Sequence, residues 1–264
     1  MNPGPAPIFL GGAYRSGLTL VRAMLDSHSE IACPPDLAIV PALALQWEQV
    51  EKVLGDNLAR HYATDRDALR AAFTGPITNI FACAARKYDR RLIADKTPAN
   101  VFVFPQIRKL FPASPLVHVV RDGRDVAASL LTQGWCDPCT GRLLPMCAAA
   151  PGAARHWKSA IKQARIAEML DGPFFQVRYE QLVTDPRAAL MPLLSWLGVT
   201  FESRMLQFYA HARAYIDLER SSIPLLQKPL VCTQVGRWRH DLTTEQTQEI
   251  QFECGMELSD LGYV

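Results

Sequence analysis

Two short runs limit what this chain can fold into. Pro7–Leu10 (PIFL) and Pro115–Val120 (PLVHVV) are apolar without polar alternation, and each leads into a glycine-containing turn with arginine and then a helical pattern. A strand apolar on both sides must be covered on both sides, and a strand that feeds a helix reaches its neighbour by a crossover. The same alternation recurs along the chain. Strands are expected at Ile8–Leu10, Leu92–Ala94, Pro115–Val120 and Phe174–Tyr179 (FFQVRY). Helices are expected at Leu18–Ser27, Asp36 to about Val53, Ile77–Arg86, Pro105–Leu110, Arg124–Leu131, His156–Leu170 and Pro186–Leu197, the last stopped by Gly198. These elements define an α/β fold with a central, mostly parallel sheet flanked by helices.

At 264 residues and 49% hydrophobic, the chain suits one large domain over 1–264. A net charge of +2 excludes a basic surface built for nucleic acid. The N-terminal MNPGPAPIFL lacks a signal-peptide pattern, and no run approaches the roughly 18 apolar residues of a membrane span. Seven scattered cysteines, an odd count, read as reduced thiols, so a cytoplasmic location is expected. Two irregular stretches, Gln133–Gly152 and Ser221–Gly236, have the length and composition of lid-type loops.

The first strand is followed by Gly11-Gly12-Ala13-Tyr14-Arg15-Ser16-Gly17-Leu18-Thr19. Turn and helix-start N–H groups point at whatever sits there, and the helix dipole adds about half a positive charge. Arg15 and Thr19 add a guanidinium fork and a hydroxyl. No Gly-Lys-Ser/Thr is present, which disfavours a nucleoside triphosphate with its magnesium. The second strand ends in Arg121-Asp122-Gly123-Arg124, with Ser129 on the helix behind it. Two anion turns in one sheet point to a ligand with phosphates at both ends.

These segments, together with DKTP (95–98), RYEQLV (178–183), ERSS (219–222) and Arg237-Trp238, resemble the sulfotransferases that use 3′-phosphoadenosine 5′-phosphosulfate (PAPS). Within that superfamily the motifs, in order along nearly the whole chain, are most similar to the tyrosylprotein sulfotransferases. The resemblance implies a P-loop-like single domain. It also implies sulfuryl transfer from PAPS to an acceptor hydroxyl, with 3′-phosphoadenosine 5′-phosphate (PAP) as product and no metal.

Residue by residue, the resemblance assigns Arg15, Ser16, Gly17, Leu18 and Thr19 to the 5′-phosphosulfate, with Leu18 standing where the family has threonine. Arg121 and Ser129 would hold the 3′-phosphate, and Gln133 replaces a further family arginine. Tyr179 would approach the nucleotide, Ser221 would close over the donor and take part in catalysis, and Arg237 stands where the family has lysine. Lys96 matches the catalytic lysine. Asp36 falls at the catalytic glutamate and is the expected base; Pro-Pro-Asp before an apolar pattern is equally a helix start, so a capping role is the alternative. Two family arginines facing an acidic peptide are Ala38 and Ala42, and Ala94 replaces a cysteine, leaving Cys33 without that partner.

The expected acceptor is phenolic, a tyrosine in a peptide or protein, with a small-molecule natural product or sugar hydroxyl as the alternative. A P-loop kinase or a non-catalytic nucleotide-binding protein are more distant readings. No nucleic-acid partner is expected; a homodimer is allowed. Cys136, Cys139 and Cys147 read as incidental loop thiols, His118 as a packed core histidine, and His28 as a cap or packing residue. Trp238 either stacks on the ligand or pins its loop.

Overall fold

The structure, a computed structural model, describes residues 5–36, 38–62, 64–210 and 226–264. At its centre is one five-stranded sheet in the order β2-β3-β1-β4-β5. The strands are β1 (Ile8–Gly11), β2 (Ile31–Ala32), β3 (Leu92–Lys96), β4 (Leu116–Val120) and β5 (Phe174–Arg178), and every pairing is parallel. The helices used below are α1 (Leu18–Asp26), α2 (Ile39–Tyr62), α3 (Arg66–Tyr88), α4 (Phe104–Leu110), α5 (Gly123–Leu130), α6 (Pro145–Ala148), α7 (Ala150–Glu168), α8 (Tyr179–Thr184), α9 (Pro186–Trp196), α10 (Trp238–Asp241) and α11 (Thr244–Asp260).

Both faces of the sheet are covered, as unalternated strands require. Ile8, Leu10, Val117, Val119 and Val177 pack under α1, α8 and α9. Phe9, Ile93, Leu116 and Val120 pack on the opposite side under α2, α3, α4, α5, α7 and α11. Each fully buried aliphatic or aromatic side chain of this kind contributes about 1.5–3 kcal/mol. β1 lies between β3 and β4, so the chain leaves it on both sides. That is the switch point of an open α/β sheet, where the carboxyl ends of strands border a crevice.

Several boundaries differ from the sequence reading, each for a physical reason. β3 runs on through Asp95 and Lys96, both nearly fully buried, although charged residues mark a strand end by composition. α3 starts at Arg66, capped by the Asp65 side chain, and continues through Gly75-Pro76, which read as breakers. α7 starts at Ala150 because Pro151 sits in its first turn, where a missing N–H costs nothing; the irregular stretch therefore ends before Gly152. α2 begins at Ile39, not Asp36, and runs to Tyr62. Tyr179 opens α8 instead of closing a strand. β2 has only two residues, and α11 buries a thin stripe of Ile250, Cys254, Glu257 and Leu258, too sparse to stand out as periodic. Gly198 does end α9: Gly198 N–H donates to Ser195 and Val199 N–H to Leu194.

His28 is packed: Glu30 N–H donates to its Nδ1, and its Nε2 bonds the Thr200 carbonyl. His118 sits on β4 with its Nε2 without a hydrogen-bond partner among the described residues, and burial pulls its pKa down to about 4. His156 is pulled to about 4 by the same cause. Unfolding restores an ordinary histidine, so the stability these neutral imidazoles hold is full above about pH 6.5 and is lost as pH falls toward 4. Asp95 works in the other direction. Burial raises its pKa to about 6, so its contribution is full below about pH 4 and is lost as pH rises through 6. Denaturant titrations at pH 7 and pH 5 are expected to show a net loss of stability on acidification. His118→Gln should shrink that loss by about 2 kcal/mol, and Asp95→Asn should enlarge it.

Candidate functional site

The turn between β1 and α1 is shaped by close approaches. Gly17 precedes α1 with φ 96, a left-handed conformation that suits glycine, and a side chain there would overlap the Tyr179 ring. Arg15 also adopts positive φ, 72, which an ordinary residue holds only when its surroundings enforce it. The enforcement is visible: Arg15 Nε donates to Ser129 Oγ at 2.9 Å, and the Arg15 carbonyl accepts from Arg121 Nη1 at 3.2 Å. The two anion turns read from the sequence are thus joined to one another.

Arg121 occupies the carboxyl end of β4 and is 5% exposed. Its guanidinium lies over the Tyr179 ring at 4.5 Å, sits 3.5 Å from buried Asp125, and donates to the Gln234 carbonyl. Burial lowers the Arg15 pKa, and the charges of Arg121 and Arg237 lower it further. Two guanidinium groups, Arg15 and Arg121, held together at the cleft are a setting for a multiply charged anion. Ser16 Oγ and Arg121 Nε are buried and without hydrogen-bond partners among the described residues, which leaves donors for a ligand. These residues fit a nucleotide carrying separated phosphates.

Lys96, 3% exposed, ends β3 beside this cluster, with Nζ 3.9 Å from Asp36 Oδ1. Beneath it Asp95 accepts from Thr97 Oγ1 at 3.1 Å and from Asn100 Nδ2 at 2.7 Å, and the same Asn100 amide donates to the Leu10 carbonyl of β1 at 3.1 Å. That network ties the β3 end to the β1 end. Asp36 stands three residues ahead of α2, with its carboxylate 3.9 Å from Lys96 Nζ.

Arg15, Gly17, Leu18, Thr19, Asp36, Lys96, Arg121, Ser129 and Tyr179 all border one cleft of about 250 Å³. Ser16 lies just behind it. Arg237 does not line it: its guanidinium pairs with Asp241 at 2.5 Å and with Gln234 Oε1 at 2.9 Å. Gln133 turns its amide to the Ser129 carbonyl. Ser221 lies outside the described residues. Trp238 pins its loop, with Arg124 and Arg239 over its ring at 4.1 and 4.5 Å and its backbone N–H donating to Asp125. Cys136 and Cys139 are exposed free thiols, and Cys147 is a buried one. Among the described residues no group of three or more His, Cys, Asp or Glu is placed to hold a metal.

Of the cleft residues that the sequence reading did not single out, three shape its polar and aromatic character. Tyr14 and Trp135 meet edge to face at 5.7 Å, and Tyr14 stacks on His156 at 5.4 Å while its N–H donates to His156 Nε2. Burial and the charge of Asp36 push the Tyr14 phenol pKa up. Gln234 supplies the carbonyl that Arg121 binds. Tyr14 was legible as the aromatic inside the glycine turn; the other two had no local signal.

The sulfotransferase family model matches residues 7–203. Protein-tyrosine sulfotransferase 2 of Gallus gallus is 27% identical over 97% of this chain and 69% of its own length. The Drosophila melanogaster protein-tyrosine sulfotransferase is 24% identical over 97% of this chain and 51% of its own. In solved structures, the sulfotransferase domain from the Synechococcus PCC 7002 olefin synthase superposes with a TM-score of 0.65 at 24% identity, covering 95% of each chain. The chain belongs to the sulfotransferase family. It is a transferase enzyme, with a likeness to the tyrosine sulfotransferases.

The Gly17–Tyr179 approach yields a stability test. Gly17→Ala combines strained backbone with a steric overlap and should lower stability by about 1–3 kcal/mol. Adding Tyr179→Ala should recover the steric share and leave the backbone share. No recovery in the double variant, read by denaturant titration, would show that the ring is not what constrains Gly17.

Proposed function

We propose that this enzyme transfers the sulfuryl group from PAPS to a phenolic hydroxyl, that of tyrosine in a peptide or protein. The observation that carries the reading is the junction of Arg15, Arg121 and Ser129 at the carboxyl ends of neighbouring strands, with Lys96 and Asp36 across the cleft. PAPS supplies the activated sulfuryl group and the phosphates that two anion turns can bind at once. Arg15, Ser16 and the N–H groups opening α1 would hold the 5′ side, and Arg121 and Ser129 the 3′ side.

The chemistry then rests on Lys96 and Asp36. Lys96 is fixed by β3 and the Asp95–Asn100 network, so its ammonium is in place for negative charge growing on a leaving phosphate oxygen. Asp36 is the carboxylate lining the cleft, and it can accept the proton of the acceptor hydroxyl. Tyr14 and Trp135 offer aromatic edges beside Asp36, and the names of the curated relatives support a tyrosine acceptor. The 133–144 loop that carries Trp135 and the segment before Arg237 would serve as lids. Seven free cysteines support a reducing, cytoplasmic setting, and no helix among the described residues is long and apolar enough to cross a membrane.

Calorimetric titration tests the donor: PAP should bind at least tenfold more tightly than AMP, and Arg121→Ala should erase most of that preference. Equal wild-type affinities would remove the assignment.

Transfer of labelled sulfuryl from PAPS to a tyrosine peptide and to a simple phenol tests the chemistry. Lys96→Ala should slow turnover by roughly a hundredfold or more with a smaller change in PAP affinity. Asp36→Asn should abolish transfer and leave PAP bound. Normal turnover in either variant would assign that residue a bystander role.

A further inference from the structure

The chain after α11 touches the β4–α5 anion turn and the junction of β5 with α8. α11 ends in a Schellman turn: Gly262 has φ 73 and donates to Ser259, and Tyr263 N–H donates back to Leu258 at 2.9 Å. A side-chain residue would resist that left-handed angle, so Gly262 aims Tyr263 in a set direction. The phenol of Tyr263 donates to Glu180 Oε2 at 3.1 Å, and its carbonyl accepts from Arg124 Nη2 at 2.5 Å. Arg178 lies over its ring at 4.6 Å and donates to the Leu261 carbonyl at 2.8 Å.

The partners of Tyr263 are the neighbours of the residues that line the cleft. Glu180 follows Tyr179, and its Oε1 accepts from Asp122 N–H at 2.8 Å; Asp122 follows Arg121. One carboxylate therefore rivets the start of α8 to the start of α5. Those starts carry the two groups, Tyr179 and Arg121, that stack on each other at 4.5 Å. Arg124 completes the frame, donating to Asp122 Oδ1 at 3.0 Å and Oδ2 at 2.7 Å. Tyr263 is bonded to Glu180 and Arg124 at once, so it holds both sides of the rivet.

We propose that Tyr263 is a positioning residue for the 3′-phosphate clamp: through Glu180 and Arg124 it sets the spacing of Arg121 and Tyr179. The proposal rests on the PAPS reading above. It assigns a task to the chain after α11, beyond residues 7–203 matched by the family model. Tyr263 does not line the cleft, and its effect passes entirely through the start of α8 and the β4–α5 turn.

The test compares PAP with AMP, which lacks the 3′-phosphate, by calorimetry on the full chain. Tyr263→Phe keeps the ring under Arg178 and removes only the hydrogen bond to Glu180. It should reduce the preference for PAP over AMP by roughly fivefold, with AMP affinity unchanged. Tyr263→Ala should reduce it further. Arg165→Ala breaks the Arg165–Asp260 pair at the same end of α11 and serves as the stability control; it should leave the preference intact. A wild-type preference in Tyr263→Phe, or an equal loss in Arg165→Ala, would overturn the positioning role. A wild-type protein without any preference would instead remove the donor assignment, and the clamp with it.

Discussion

The site depends on holding like charges together. Arg15 and Arg121 are buried or half-buried at the ends of β1 and β4 and linked through the Arg15 carbonyl; burial, and then the charge of Arg121, lowers the Arg15 pKa. The fold tolerates this through Asp125. That carboxylate is fully buried, lies 3.5 Å from Arg121, and accepts the N–H groups of Gly236 and Trp238 at 2.9 and 3.0 Å. A buried pair of this kind adds little net stability, since desolvation roughly offsets attraction. Its product is position: the 236–238 segment is fastened to α5, and Arg121 is turned to Tyr179. An anion entering the cleft would replace internal repulsion with attraction. Such an anion should bind the folded chain far better than the unfolded one and stabilise it in proportion.

How much of this was legible differs from element to element. PIFL and PLVHVV announced themselves because strands covered on both faces leave unbroken apolar runs, and the β1–α1 and β4–α5 turns followed from their glycines and arginines. β3 was truncated because burial of Asp95 and Lys96 depends on the Thr97 and Asn100 contacts, which composition does not reveal. α11 was missed because its buried stripe includes Glu257 and Cys254. In the site, residues within a turn were legible and residues arriving from afar were not. Gln234 reaches Arg121 across 113 positions, and Tyr263 reaches Glu180 across 83. Asp125 sits in plain view in the RDGRD segment, yet its work is done on a backbone more than a hundred residues away.

Under the proposed reading, the acceptor side follows a different electrostatic rule from the donor side. Among the described residues the cations bordering the cleft are Arg15, Lys96 and Arg121, and each has a task in handling phosphate under the proposed reading. Among the described residues Asp36 is the carboxylate there. Positions 38 and 42, where the tyrosylprotein sulfotransferase motifs carry arginine, are exposed alanines. An acceptor dense in acidic residues would meet Asp36, and the cation beside it, Lys96 at 3.9 Å, is the one assigned to the leaving phosphate under that reading. The neutral features within reach are the rings of Tyr14 and Trp135, both anchored by the scaffold: Tyr14 by His156, and Trp135 by a carbonyl that accepts from Leu144 N–H at 2.8 Å. Fixed rings recognise another ring at little entropic cost, and the contact is insensitive to salt because it involves no exposed ion pair. The same transfer chemistry can therefore be retained while the means of recognising the acceptor shifts from charge to shape. Under that reading the turn residue Tyr14 belongs to both sides, adjoining Arg15 along the backbone and meeting Trp135 edge to face.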